Sequence, residues 1–216
     1  RTVDGISFTL RKGEILGIAG VEGNGQTELV EAMTGMGGYT SGTIESGGKD
    51  IQGSSVAAIR ALKVAHIPED RMTMGIAPKL TENMIADKLS WKKFFKNGII
   101  NRKAVRSYGD EMVDQYQVLC KSQDVSIDSL SGGNIQKVVL ARELSGHPQV
   151  IIADQPTRGV DVGATEFIRK RLVEARDAGN GVILVTSDLN EVLGLSDSLL
   201  VFYEGRIAAY IKDTTS

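Results

Sequence analysis

The sequence predicts an α/β fold in which a mostly parallel sheet is covered by helices on both faces. Apolar runs of strand length alternate with helical patterns along the 216 residues, and a glycine-rich turn joins the first buried strand to the first helix. A third observation is a change of character at 78–128, where the pattern becomes helical and charged. We interpret residues 1–216 as a single domain with a helical subdomain inserted at about 78–145.

The spacing of apolar residues assigns the individual elements. Residues 6–10 alternate between apolar and polar, as in a half-buried strand, whereas 15–19 are apolar on both faces, as in a central strand. Strands are predicted at 6–10, 15–19, 64–67, 150–153 and 182–186, with antiparallel hairpins at 43–51 and 199–211. Helices are predicted at 27–33, 134–144, 163–178 and 188–195, and on a helical face made by Val105, Tyr108, Met112, Tyr116 and Leu119.

Bulk composition narrows the class of protein. A formal net charge of −2 argues against a general nucleic-acid binder, which normally carries a basic field. The single cysteine, Cys120, fits a reducing compartment. No apolar run is long enough to span a membrane, and no signal peptide is visible. Because the chain starts at Arg1 and enters a strand pattern at once, we expect a fragment of a longer protein.

The glycine-rich turn is a candidate phosphate-binding loop. The standard pattern is G-x-x-x-x-G-K-[ST] after a strand, and residues 20–27 match it except at the lysine, where Gln26 stands. Such a loop directs backbone N–H groups at a phosphate, and Thr27 is placed to bind magnesium. A turn without the lysine is also explained by turn geometry alone. The candidate nucleotide-binding residues are Gly20, Gly23, Asn24, Gly25, Gln26, Thr27, Glu28 and, further along, Asp154.

A second glycine segment, Leu130–Lys137, identifies the family. Read alone, Ser131 is the N-cap of a helix with a flexible lead-in. However, L-S-G-G-x-x-Q-K followed by an apolar strand and D-x-P-T-x-G-x-D resembles the ABC ATPase superfamily over essentially the whole chain, 3–210. The resemblance implies a P-loop NTPase (RecA-like) core that binds ATP and Mg²⁺, with Thr27 and Asp154 near the metal. A P-loop kinase or GTPase has no need of such a segment.

In that family two domains pair head to tail, and each ATP lies between the phosphate loop of one and the Ser-Gly-Gly segment of the other. The resemblance therefore implies that one group of residues serves the partner's site. These in-trans residues are Ser131, Gly132, Gly133, Asn134, Gln136 and Asp161. This group is intact in the sequence, so we expect the domain to complete its partner's site.

The domain's own site departs from the family at four positions. Besides Gln26, the family's glutamate base is replaced by Gln155, its switch histidine by Ser187 and its loop glutamine by Glu69. Each change alone could be drift, but together they remove groups that all serve hydrolysis, including a general base that contributes ~10²–10⁴ in rate. We therefore expect no catalytic residue in cis, weak or absent binding of ATP and Mg²⁺, and an isolated domain that is inactive or nearly so.

Several other segments of the sequence resemble the carbohydrate-uptake group of bacterial importers. In that group one polypeptide carries two fused ATPase domains, and the second is degenerate. The matching segments are 68–71, 130–137 with Asn134, 156–164 and 187–191. Residues 20–29 together with 154–157 look closer to the nucleoside branch. This implies an ATPase domain that couples ATP hydrolysis to uptake of a nucleoside or a ribose- or galactose-type sugar. The implied partners are the N-terminal ABC domain of the same chain, two transmembrane permease subunits and a substrate-binding lipoprotein or receptor, with no nucleic acid. The implied location is the cytoplasmic face of the plasma membrane.

Two other hypotheses remain open. A soluble ABC-type ATPase acting on DNA or ribosomes is disfavoured by the acidic balance and by the lack of a coiled-coil insertion. A structural partner domain that binds no nucleotide is opposed by the intact loop glycines and Thr27. The histidines His66 and His147 match no catalytic position and are interpreted as structural.

Overall fold

The computed structural model describes residues 3–74, 76–88, 91–96 and 99–212, and the chain divides into two compact units. Unit 1 comprises 1–66, 148–156 and 169–216, and unit 2 comprises 67–147 and 157–168. Unit 2 thus begins earlier than the subdomain predicted at 78–145 and includes a second segment, 157–168. Within the described residues, no helix is both long and apolar enough to cross a membrane.

The elements follow in chain order. The strands are β1 (Ile15–Ala19), β2 (Glu45–Ser46), β3 (Lys49–Asp50), β4 (Val64–Ile67), β5 (Phe95–Lys96), β6 (Ile99–Ile100), β7 (Val150–Asp154), β8 (Gly181–Val185), β9 (Ser198–Tyr203) and β10 (Arg206–Ile211). The helices are α1 (Gln26–Thr34), α2 (Val56–Ala61), α3 (Arg71–Met74), α4 (Leu80–Ile85), α5 (Arg102–Gln115), α6 (Gly132–Leu144), α7 (Val162–Asp177) and α8 (Leu189–Leu195), with a 3₁₀ turn at Ile127–Ser129.

The main sheet confirms the predicted fold class. Its strand order is β10-β9-β1-β8-β7-β4. Strand β1 pairs in parallel with β8 and β9, β7 pairs in parallel with β8, and β10 runs antiparallel to β9. Because the carboxyl ends of parallel strands meet at one edge of a sheet, the segments that follow β1, β7 and β8 share that edge. These segments contain the glycine loop, Gln155 and Ser187.

Burial explains why unit 1 folds around these strands. The central strands carry fully buried residues such as Leu16 and Ile18, which pack in one core with Val30 of α1 and Leu200 of β9. Gly17 of β1 allows α8 to approach, because a Cβ there would lie 2.2 Å from Ser196 Oγ and 2.5 Å from a methyl group of Val192. The continuous apolar runs of the sequence are thus the interior strands of the sheet.

Unit 2 is mostly helical. Leu80 and Met84 of α4 are fully buried, and the predicted buried face of α5 is confirmed up to Tyr116. The prediction that Leu119 lies on the same buried face is wrong, because Leu119 is 75% exposed. Helix α5 ends at Gln115 and Gln117 has a left-handed φ of 52°, so the chain leaves the helix before the next turn could bring Leu119 inward.

The prediction of a strand at 6–10 is also wrong. These residues form an extended segment without assigned strand pairing, although Ile6, Phe8 and Leu10 are half-buried against the unit 1 core. Alternation of apolar and polar residues indicates only that one face of a segment is buried. An extended segment can bury one face without pairing with a neighbouring strand. Helix α2, capped by Ser55, and the β5–β6 hairpin inside the predicted helical region were not expected.

Candidate functional site

The glycine loop of unit 1 is closed by the side chain of Gln26. Its Oε1 accepts the backbone N–H of Asn24 at 3.1 Å, and its Nε2 donates to the carbonyl of Val21 at 3.3 Å. The residue is only 9% exposed. A Cβ on Gly20 would lie 2.4 Å from Gln26 Nε2, so that glycine leaves the space the amide uses. The amide therefore lies inside the loop.

Asn24 fastens the same loop to the β9–β10 turn. Its Nδ2 donates to the carbonyl of Val21 at 2.8 Å, and its Oδ1 accepts the N–H of Glu204 at 2.9 Å. Its carbonyl accepts the N–H of Gly205 at 2.8 Å. Glu204 and Gly205 have φ values of 48° and 77°, as in a tight turn with both central residues left-handed. Two sets of hydrogen bonds thus hold the loop in one shape.

One backbone donor of this loop is already in use. A phosphate loop binds its ligand through backbone N–H groups at a helix N-terminus, but the N–H of Asn24 is already satisfied by Gln26. The loop ends at Gly25, whose φ of 110° precedes α1 and whose position offers no side-chain cap. Thr27 is exposed and Glu28 lies in the first turn of α1. An anion bound at the N–H of Asn24 would have to displace the amide of Gln26.

Two further predicted positions meet at the same edge of the sheet. Asp154 is the last residue of β7 and is 8% exposed. Gln155 follows with a left-handed φ of 46°, and its Oε1 accepts hydrogen bonds from Ser187 N at 3.2 Å and Ser187 Oγ at 3.4 Å. The side chains of Gln155 and Ser187 are thus hydrogen-bonded to each other. Across the described residues, no three His, Cys, Asp or Glu side chains cluster as metal ligands.

The Ser-Gly-Gly segment lies in unit 2 and opens α6. Ser131 is the N-cap, and its Oγ accepts the N–H of Asn134 at 3.4 Å and Asn134 Nδ2 at 2.9 Å. Asn134 Oδ1 accepts the N–H of Leu119 at 2.8 Å. Ser131 is exposed, so its hydroxyl and the first N–H groups of α6 form a surface that suits an anion.

A close approach at Gly133 joins this segment to the loop before α7. A Cβ there would lie 2.6 Å from Asp161 Oδ2 and 2.8 Å from Ala164 Cβ. Asp161 Oδ1 in turn accepts the N–H of Ala164 at 2.9 Å, which caps the start of α7. Two of the predicted in-trans elements are therefore in direct contact. Gln136 does not share their surface, because it is 1% exposed and lies in the interior of unit 2.

Sequence reasoning missed the contacts made by two arginines of unit 2, Arg71 and Arg158. Glu69, predicted only as a replaced glutamine, forms an ion pair with Arg158. Arg71 donates to the carbonyls of Arg158 at 2.8 Å and Gly159 at 3.2 Å, and a Cβ on Gly132 would lie 3.0 Å from its Nη2. Both arginines lie inside quoted motifs, but nothing in the sequence indicated that Arg71 contacts the backbone of Arg158.

The family follows from a direct comparison. The sequence profile described as ABC transporter matches residues 3–158. The chain belongs to the ABC transporter family. Because that match covers more than half of the chain, the loop, the β7 strand and the Ser-Gly-Gly segment are those of an ABC domain.

Several curated ABC relatives are similar over nearly the whole chain. The nucleoside import ATP-binding protein NupA of Lactococcus lactis is 39% identical over 99% of this chain and 43% of its own length. The guanosine import ATP-binding protein NupO of Bacillus subtilis is 40% identical over 98% and 42%. The ribose import ATP-binding protein RbsA of Bacillus cereus is 38% identical over 99% and 43%. The chain thus spans less than half the length of these relatives.

Solved structures show the same ABC cassette fold. The ATP-binding cassette MJ0796 in its dimeric, post-hydrolysis state bound to ADP and Pi has a TM-score of 0.81 at 18% identity, over 99% of this chain and 91% of its own. A nucleotide-free ATP-binding cassette has a TM-score of 0.75 at 24% identity, over 96% and 84%. At such identities the likeness establishes the fold, which is the predicted P-loop NTPase core.

Proposed function

We propose that this chain is the second ATP-binding domain of an ABC importer that takes up a nucleoside or a simple sugar. The relatives are named for the import of nucleosides, guanosine and ribose, which supports this class of solute. In the proposal the domain pairs with an N-terminal ABC domain of the same polypeptide. It works with two transmembrane permease subunits and a substrate-binding lipoprotein at the cytoplasmic face of the membrane.

One observation carries the division of labour between the two domains. In unit 1 the amide of Gln26 satisfies the loop N–H that a phosphate would need, whereas in unit 2 Ser131 is exposed at the start of α6. The domain's own loop is therefore poorly suited to nucleotide, and its signature segment is well suited to receive one from outside. This supports a degenerate site in cis and a donated segment in trans.

The residues of this chain then act chiefly by binding and orientation. Bound ATP would supply the phosphoanhydride bond that is hydrolysed. Ser131 Oγ and the N–H groups at the start of α6 would donate hydrogen bonds to phosphate held in the partner's loop, with the helix dipole favouring the negative charge. In its own site Gln155 cannot take a proton near neutral pH, so it provides no general base. Asp161, in contact with Gly133, would hold the adjoining loop in place.

The test is Ser131→Ala in the full-length polypeptide assembled with its permeases. We expect steady-state ATP hydrolysis and solute uptake to fall by about 10²-fold, the cost of removing one preorganised donor. The matched control is Ser187→Ala, which removes the same hydroxyl from the degenerate site and should leave turnover within about threefold, as for substitutions outside the working machinery. Unchanged turnover with Ser131→Ala would overturn the proposed function.

A further inference from the structure

The side chain of Asn134 has a fixed orientation. One end of its amide faces the backbone N–H of Leu119, which can only donate, so this end must be the carbonyl oxygen. The other end, Nδ2, then faces Ser131 Oγ at 2.9 Å. Because Nδ2 can only donate, the serine oxygen has to accept. The hydrogen bond to Leu119 therefore fixes the amide so that it donates to Ser131.

The backbone at Leu119 is itself held in place. Val118 donates its N–H to the carbonyl of Val113 at the end of α5, and Lys137 Nζ donates to the carbonyl of Gln117 at 3.2 Å. The chain around Leu119 is thus attached both to α5 and to the second turn of α6. Rotation of the Asn134 amide would place two donors against each other there, so the orientation is strongly selected.

The hydroxyl group of Ser131 can consequently act toward a further group only as a hydrogen-bond donor. Its Oγ accepts two hydrogen bonds, from the N–H and from Nδ2 of Asn134, and a hydroxyl oxygen has two lone pairs. With both lone pairs used, the hydroxyl can interact with a further group only by donating. We propose that Asn134 is a positioning residue that sets Ser131 as an outward hydrogen-bond donor toward phosphate. This inference rests on the proposed function, in which Ser131 contacts phosphate held by a partner domain.

Asn134→Asp tests the proposal in the full-length polypeptide with its permeases. The substitution keeps the size of the side chain and an oxygen for the N–H of Leu119, but it replaces the Nδ2 donor by an acceptor. Ser131 then donates to the new carboxylate and is lost as an outward donor. We expect turnover to fall by about 10²-fold, as for Ser131→Ala, since each change removes the same preorganised donor.

Asn134→Ala separates positioning from simple structural support. It removes the hydrogen bond to Leu119 as well, yet it leaves the Ser131 hydroxyl free to turn outward, so we expect a milder loss, of about tenfold or less. A purely structural role for Asn134 gives the reverse order, because Asp keeps the Leu119 contact and Ala does not. Thermal unfolding of each variant establishes that turnover is measured on folded protein.

A double variant isolates the route through Ser131. If Asn134 acts through that hydroxyl, Asn134→Asp should cost nothing further in a Ser131→Ala background. A further loss there means that the new charge acts directly on the nucleotide, and it overturns the inference. So does near-normal turnover of Asn134→Asp when Ser131→Ala is impaired. If Ser131→Ala itself has no effect, the proposed function has failed instead.

Discussion

The phosphate loop of unit 1 and the Ser-Gly-Gly segment of unit 2 are alike in sequence and opposite in their use of polar side chains. Both are glycine-rich turns that open a helix, α1 and α6. In the first, Gln26 is buried and its amide accepts the N–H of Asn24. In the second, Ser131 accepts hydrogen bonds from the N–H and Nδ2 of Asn134 and remains exposed. The two helix N-termini therefore differ in whether the polar side chain at the turn lies inside the loop or at the surface.

In the proposed function, the phosphate loop binds nucleotide weakly for two separate reasons. Displacing Gln26 from a neutral hydrogen bond costs about 0.5–1.5 kcal/mol, and the missing lysine withholds a charge-assisted contact of about 1.5–3 kcal/mol. In the Ser-Gly-Gly segment, the amide of Asn134 is hydrogen-bonded to Leu119 and Ser131, and Ser131 remains exposed. Substitutions in the Ser-Gly-Gly segment should therefore change ATP turnover, whereas substitutions in the phosphate loop should change MgATP affinity or stability.

The largest expected effect is that of Gly133→Ala. The added Cβ would lie 2.6 Å from Asp161 Oδ2 and 2.8 Å from Ala164 Cβ, so it separates two elements of the in-trans surface. We expect ATP turnover of the assembled transporter to fall by about 10²-fold, measured by phosphate release. Gly194→Ala is the matched control, since nothing lies within 4 Å of a Cβ there and turnover should be unchanged. Equal turnover of the two folded variants would contradict the comparison.

A smaller effect is expected when Gln26 is replaced by lysine. Gln26→Lys removes the amide from the loop and supplies the missing charge, so affinity for MgATP at this loop should rise about thirtyfold, which corresponds to about 2 kcal/mol. Binding should be measured in full-length protein whose partner loop has been disabled. Turnover should not rise, because Gln155 remains unable to act as a base.

Gln26→Met is the control for this second prediction. It removes the amide without adding charge, so the share of the gain due to opening the loop can be read directly. If Gln26→Lys binds MgATP no more tightly than the wild-type protein, the closed amide is not what prevents binding.

The smallest effect concerns stability. Gly20→Ala would place a Cβ 2.4 Å from Gln26 Nε2 and 2.9 Å from the carbonyl of Phe202, so we expect the free energy of unfolding to fall by about 1 kcal/mol. Adding Gln26→Ala should recover part of that loss, because it removes one of the two close contacts. Chemical denaturation measures both. Simple addition of the two single losses would show that the amide does not occupy the loop.

Sequence alone determined the order along the chain of the main-sheet strands, and the family. Continuous apolar runs such as 150–153 are short enough to be interior strands rather than buried helices, and the motif at 130–137 was specific enough to identify an ABC domain. The spacing of apolar residues gave a wrong prediction at 6–10, where the segment is half-buried but is not a strand. It was also wrong at Leu119, because the helix ended one turn earlier than predicted. The spacing of apolar residues contains neither the hydrogen-bond partner of an extended segment nor the residue at which a helix ends.

Only the tertiary structure decided what the polar residues of the site do. The sequence placed Gln26 and Asn134 at motif positions, but whether an amide turns into its own loop or bridges to Leu119 depends on which donors and acceptors the fold brings within about 3 Å. It likewise placed Gln136 with the in-trans residues, and packing put its side chain inside unit 2. A motif specifies residue types along the chain, whereas a hydrogen bond requires positions in space.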